Sequence, residues 1–322
     1  MSTHTMPGDR QDDTRPSTVL PVPFTTGTQP PRTVLPAGAC DCHMHVYDGR
    51  YPAVPGAKLL PPDASVADYR LLQRRIGTRR TVLVTPSTYG TDNRCMLDGL
   101  AALGGEGAGE ARGVAVVDMA TPDAELQRLH ALGVRGIRLN LSQGVSNAAG
   151  ELQPLAARIA PLGWHVQLLM APDLLTTLAP VLRTLPVPAV FDHLGRIAPE
   201  QAGRHPAHRL LLELLGSGCA WVKLSGGYIV SERHAVDDPA LHALARSYLD
   251  TAPERVVWGS DWPHATASAG VQPMPDDALQ LDVLAGWARD AGTLRRVLVD
   301  NPQALYGFAP ATAATSFPPA LS

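Results

Sequence analysis

The run Cys40-Asp41-Cys42-His43-Met44-His45 places two histidines two residues apart. On a strand, alternate side chains share a face, so His43 and His45 point the same way. Two neighbouring imidazoles suit a metal ion, an anion or a polarised carbonyl. Taken alone, the pair fits ordinary solvated or capped histidines equally well. Two further runs give it company: Phe191-Asp192-His193-Leu194-Gly195 and Trp258-Gly259-Ser260-Asp261-Trp262-Pro263-His264, each at the end of an apolar stretch. If the strands close into a barrel, the last lies beside the first. Asp261 and the histidine pair then converge.

These three runs resemble the amidohydrolase superfamily, and within it the branch of 2-pyrone-4,6-dicarboxylate lactonase. The likeness extends through Gly90-Thr91-Asp92-Asn93, Gly133-Val134-Arg135-Gly136-Ile137-Arg138, Gly163-Trp164-His165-Val166 and Asp300-Asn301-Pro302-Gln303-Ala304-Leu305-Tyr306. Chemistry and resemblance together imply the roles. Opening a lactone needs a base for water and donors for the developing oxyanion. Asp261 is expected as the ionised base, with His43, His45 and His193 polarising the carbonyl and one of them protonating the leaving oxygen. Many amidohydrolases hold two ions bridged by a carbamylated lysine on strand 4, with a histidine on strand 5. Here strand 4 ends Ile137-Arg138-Leu139-Asn140, and His165 opens strand 5 far from the mouth. A two-metal centre is therefore not expected. His43, His45, His193 and Asp261 either act directly, with no cofactor required, or hold a single Zn²⁺.

By the same resemblance, Arg138 is a ligand for a substrate carboxylate, although a salt bridge to a neighbouring strand would explain it too. Ser87, Tyr89, Tyr47, Tyr51, Gln167 and His264 are further expected substrate contacts. The dicarboxylate lactonase has a Lys-Arg pair after strand 4, where this chain reads Ser142-Gln143-Gly144. It has an arginine after strand 7, where this chain reads Ser225-Gly226-Gly227-Tyr228. Those stretches, with Met44-His45-Val46-Tyr47 and the Tyr51–Gly56 run, look more like the sugar-acid lactone isomerase of the branch. That isomerase departs from the His-x-His and strand-8 Asp set kept here. The expected activity is hydrolysis of a small carboxylated lactone of muconolactone, sulfomuconolactone, pyrone or sugar-acid type. A sugar-acid lactone isomerase is the alternative, and a catalytically silent binder is a third reading.

Short β-branched runs alternating with amphipathic stretches must position these residues, the pattern of a parallel α/β fold. Eight strands are predicted: Ala39–Val46, Thr81–Thr85, Gly113–Asp118, Gly136–Asn140, His165–Met170, Ala189–His193, Trp221–Ser225 and Arg255–Asp261. Helices are predicted over Val66–Ile76, Pro122–Leu132 (Pro122 in its first turn), Arg209–Leu215, Ala240–Leu249 and Asp277–Arg289. Eight such units make one (β/α)8 TIM barrel over residues 37–310, with a mobile or extended arm at 1–36 and a tail at 311–322. The proline-rich Tyr47–Asp63 segment after strand 1 is expected as an active-site wall. No Gly-x-Gly-x-x-Gly or phosphate loop follows any strand.

A chain of 322 residues suits one such barrel, and 45% hydrophobic with 18% charged residues reads as globular. A net charge of −3 gives no reason to expect nucleic acid. No apolar window has membrane-spanning length, and the start lacks the pattern of a secretory signal. Four cysteines, with Cys40 and Cys42 only one residue apart, suggest neither a disulfide framework nor a CxxC redox motif. A reducing cytoplasm fits. A homo-oligomer is compatible with the arm, and nothing in the pattern requires one.

Overall fold

The computed structural model describes residues 21–104, 110–142 and 149–310. Residues 1–20 of the arm, the tail from 311 and the Gln143-Gly144 pair lie outside these. Eight parallel strands follow in sequence order: β1 (Cys40–Met44), β2 (Arg80–Val84), β3 (Ala111–Ala115), β4 (Val134–Asn140), β5 (His165–Leu169), β6 (Ala189–Phe191), β7 (Ala220–Leu224) and β8 (Val256–Trp258). Helices intervene, and the fold is a (β/α)8 barrel. Among the described residues, no helix is long and apolar enough to cross a membrane.

Alternation along the strands divides the apolar residues into two cores. Leu83, Val166, Leu168, Val222 and Leu224 point outward into the layer shared with the helices. Val82, Val84, Val114, Val190, Trp221 and Val257 fill the lower barrel interior with Cys40 and Cys42. The same period turns Arg138, Gln167 and Lys223 inward. Each lies between outward-facing apolar neighbours, and all three are buried. The helices form where their apolar faces and caps coincide. In Val66–Ile76, Tyr69, Leu72 and Ile76 are buried, Ser65 and Asp68 make a reciprocal capping box, and Gly77 at φ +82° ends the helix. The helix after β3 is Asp123–Ala131, and Pro122, predicted inside its first turn, stays extended at its cap.

Two features of the seam aim the site. No regular ladder joins β1 to β8. The gap is closed by the segment after β8: Asp261 N–H donates to His43 O and His45 N–H to Trp262 O, both at 2.8 Å. The second feature is a register shift in β1 between Asp41 and Met44. Asp41 turns outward to Tyr69 OH on the surrounding helix, yet His43, two residues on, reaches Lys223 inside. Strict alternation would keep them on one side; the bulge re-aims the histidine.

Residues 21–36, the inner end of the arm, lie against this seam. Trp262 Nε1 donates to Pro23 O at 3.0 Å and the Phe24 ring meets Trp262 edge-on, with 5.6 Å between centroids. The Tyr47–Asp63 segment folds over the barrel mouth, where Val54 N–H donates to Thr88 O and Thr88 Oγ1 to Leu59 O.

Candidate active site

The expected strands 6 and 8 ran on to His193 and Asp261, but β6 and β8 stop at Phe191 and Trp258. His193 and Asp261 have φ of +49° and +67°, which no strand accommodates. Both side chains therefore leave the ladder and turn into the mouth. Glycines make room: a Cβ at Gly259 would sit 2.5 Å from His43 Cβ, and one at Gly226 2.6 Å from His193 Nδ1.

The four residues predicted to carry the chemistry come together. Asp261 Oδ1 lies 3.6, 3.7 and 3.8 Å from Nε2 of His43, His45 and His193. Each ring is anchored through its other nitrogen: His45 Nδ1 by Val84 O at 2.7 Å, and His193 Nδ1 by Ser225 Oγ at 3.0 Å. His43 Nδ1 lies 3.3 Å from Lys223 Nζ and 3.2 Å from Asp192 Oδ1. Burial holds the pKa of both His43 and His193 below the usual value, which favours the neutral rings. Burial alone would raise Asp261. The surrounding His193, His45 and His43 rings outweigh it and hold the carboxyl well below its ordinary range.

His43 Nε2 and His45 Nε2 are 3.2 Å apart. Because Val84 O can only accept, His45 donates to it from Nδ1–H, and the Nε2 of a ring with that single proton turns a lone pair to His43. The contact is satisfied in one of two ways. His43 holds its proton on Nε2, with Lys223 donating to its Nδ1; or His43 holds it on Nδ1, toward Asp192, and its Nε2 would then be free to help hold a cation. The donor set fits one ion: ligand atoms of His43, His193 and Asp261 all lie within 4.8 Å of one another. The edges of a tetrahedral zinc site are about 3.3 Å.

Beneath the histidines is a hydrogen-bonded network with no signature in the sequence runs above. Lys223 Nζ donates to Gln167 Oε1 at 2.6 Å and to Cys42 O at 2.8 Å. Gln167 Nε2 and Arg138 Nε donate to Asp192 Oδ2 at 3.0 and 3.2 Å. The available signal was Lys223 itself, a charged residue at an inward position of an otherwise apolar strand. Asp192 was visible only as the neighbour of His193.

A cavity of about 370 Å³ opens above Asp261, His45 and His193. Of the expected substrate contacts, Ser87, Tyr47 and Arg138 line it. The Arg138 salt bridge and its place in the wall coexist: its Nε is bound, and its terminal nitrogens make no hydrogen bond among the described residues. Gln167 lies below, within the network. Tyr89 OH is taken up by Asp48 backbone, and Tyr51 lines a separate cavity with its hydroxyl on Asp98. His264 is wholly buried between Tyr228 OH and Asp277, away from the cavity. Lys58 and Arg196 join the cavity wall, neither with a hydrogen-bond or ion-pair partner among the described residues.

A barrel with a histidine on β1 and another just past its end, a histidine after β6 and an aspartate after β8 defines a barrel hydrolase. The chain belongs to the Amidohydrolase family, whose model matches residues 40–308. It is 37% identical over 292 residues to a 2-pyrone-4,6-dicarboxylate hydrolase of Comamonas testosteroni, covering 86% of this chain and 92% of that one. It is 34% identical to a 4-sulfomuconolactone hydrolase of Hydrogenophaga intermedia (86% and 91% covered) and 32% identical to a D-galactarolactone isomerase of Agrobacterium fabrum (88% and 96%). Among solved structures, an apo Agrobacterium tumefaciens protein superposes with TM-score 0.78 at 31% identity, covering 87% of this chain and 99% of the other.

Proposed function

We propose that the protein hydrolyses the ring ester of a small carboxylated lactone. The observation that carries this reading is a buried, ionised Asp261 facing three imidazoles beneath a cavity with cationic walls. Asp261 Oδ1 takes a proton from water as the oxygen attacks the ring carbonyl. N–H donors of His43 and His193 hold the resulting oxyanion. Collapse breaks the ring C–O bond, and the leaving oxygen takes a proton from Asp261 or a histidine, giving the open hydroxy acid. Arg138 offers its terminal nitrogens to the substrate carboxylate, with Arg196 and Lys58 available to further anionic or polar groups.

The positions where the dicarboxylate lactonase has an arginine after strand 7 are used differently here. Ser225 holds His193, and Tyr228 donates to Asp261 Oδ2 at 2.7 Å. This favours muconolactone-type or sugar-acid lactones over a planar pyrone dicarboxylate. A lactone isomerase is the second reading, favoured by the identity to the galactarolactone enzyme.

We further propose turnover by side chains alone, supported by Lys223 beside His43 Nδ1, which leaves the His43 proton on Nε2 toward the site. If an ion is bound, His43, His45, His193 and Asp261 hold it, and it supplies Lewis-acid polarisation of the carbonyl and acidification of water. All four cysteines are free thiols, which accords with a reducing cytoplasm.

A screen of muconolactones, pyrones and aldarolactones by acid release tests the activity. Ring opening with release of acid is expected; ring migration without acid would establish the isomerase. Asp261→Asn should lower kcat by about 10³-fold or more, and turnover surviving within tenfold would remove Asp261 as the base. Elemental analysis with chelation tests the metal: activity is expected to survive, whereas loss restored by Zn²⁺ would overturn the metal-free route.

A further inference from the structure

Behind Asp261, on the side away from the cavity, runs a line of buried polar groups with no part in the reaction above. Tyr228 OH donates to Asp261 Oδ2 at 2.7 Å. His264 Nδ1 lies 3.3 Å from the same phenol oxygen, and His264 Nε2 lies 3.1 Å from Asp277 Oδ2. Asp277 Oδ1 accepts from Gln280 Nε2 at 3.0 Å. Tyr228, His264 and Asp277 are each fully buried, with no exposed surface.

The direction of the chain follows from its ends. Ionised Asp261 can only accept, so the single Tyr228 proton points to it. The phenol oxygen is then free to accept from His264 Nδ1–H, and Asp277 accepts from Nε2–H, so His264 stands in this chain as an imidazolium paired with the Asp277 carboxylate. A carboxylate on a short side chain can turn about its last bond. With Oδ2 fixed by Tyr228, Oδ1 is left facing the three imidazoles, the orientation that a base for water requires. The outer end is closed by the arm: Asp277 N–H donates to Thr25 Oγ1 at 3.2 Å, while Pro23 and Phe24 hold Trp262, the residue after Asp261.

We propose that Tyr228, His264 and Asp277 form a hydrogen-bonded chain that positions Asp261, with Pro23, Phe24 and Thr25 securing its far end. The kinetic part of this proposal rests on Asp261 being the base of a lactone hydrolase. None of the three touches substrate; they act through the carboxylate.

The test is a double-mutant cycle on Tyr228→Phe and His264→Asn, with kcat and KM measured on the lactone identified by acid release. A crystal structure of each variant supplies a readout independent of turnover. Tyr228→Phe removes one oxygen and should lower kcat by about 10- to 100-fold with KM within about threefold. His264→Asn keeps a donor for Tyr228 but loses Asp277; its smaller loss should vanish in the Tyr228→Phe background, because it acts only through the phenol. The Asp261 carboxylate should be seen rotated in the Tyr228→Phe crystal. An unchanged kcat in Tyr228→Phe, losses that multiply in the double variant, or a carboxylate that keeps its orientation would each overturn the proposal. Should His264→Asn fail to fold, Thr25→Val takes its place at the outer end, with a loss of about threefold expected and none in the Tyr228→Phe background. If the wild type opens no lactone, the functional reading fails, and the crystallographic comparison still decides the chain.

Discussion

Lys223 is the charge on which the floor of the site depends. It is fully buried, hydrogen-bonded to Gln167 and Cys42 O, and 3.8 Å from Asp192, itself wholly buried. Burial would raise Asp192, but His43, Lys223 and Arg138 around it outweigh that and hold its carboxyl well below the ordinary range. Removing one partner of a buried pair leaves the other charge uncompensated. Lys223→Met should therefore cost about 3–5 kcal/mol of stability, measured by urea unfolding at pH 7. A loss under about 1 kcal/mol would mean that Arg138 alone neutralises Asp192. The sequence located His43, His45, His193 and Asp261 because each closes a recognisable run. The network below escaped it because hydrogen-bond partners on β4, β5 and β7 are brought together only by barrel closure. His264, expected as a substrate contact, is sent by the turn at Trp262-Pro263-His264 to the opposite side of the carboxylate, against Tyr228 and Asp277.

At the scale of the element, strand existence and order were legible from alternating apolar runs, whereas strand ends were not. Positive φ at His193 and Asp261 stops β6 and β8 early, and hydrophobicity carries no sign of φ. Nor does it show the β1 bulge, which explains why Asp41 and His43 part company although two residues apart. The tight passage of the chain at Gly259 is the clearest local requirement. Its Cα faces His43 so closely that an added methyl would lie 2.8 Å from the His43 backbone nitrogen. Gly259→Ala should push the β8 end off β1, lowering stability by about 1–3 kcal/mol and displacing Asp261 from its histidines. Thermal melting together with kcat checks this. A normal kcat in a destabilised variant would show that Asp261 is held independently of its own strand end.

For the whole molecule, stability in acid is set partly by the lower interior. His165 is buried, and its ring packs edge-on against Tyr306. Burial, and then the charge of Lys223, push its pKa down to about 3. In the unfolded chain a histidine titrates near 6.5, so between these values the unfolded state binds a proton that the native state refuses. Stability from this group is complete above about pH 6.5 and is lost as pH falls, at roughly 1.4 kcal/mol per unit well inside that window. Comparing urea unfolding at pH 7 and pH 5, His165→Leu should lose about 2 kcal/mol less than the wild type. Equal losses in both would place the acid sensitivity elsewhere.

The irregular seam between β1 and the segment after β8 has one more consequence. Two of the histidines come from the end of the first strand and the residue just past it, and the aspartate from beyond the last, so neither half of the barrel contains a working set. Turnover is thus a reporter for assembly of the complete ring. In refolding, helical signal can return while catalysis is still absent, and two co-expressed half-chains would be silent apart and active only once joined edge to edge.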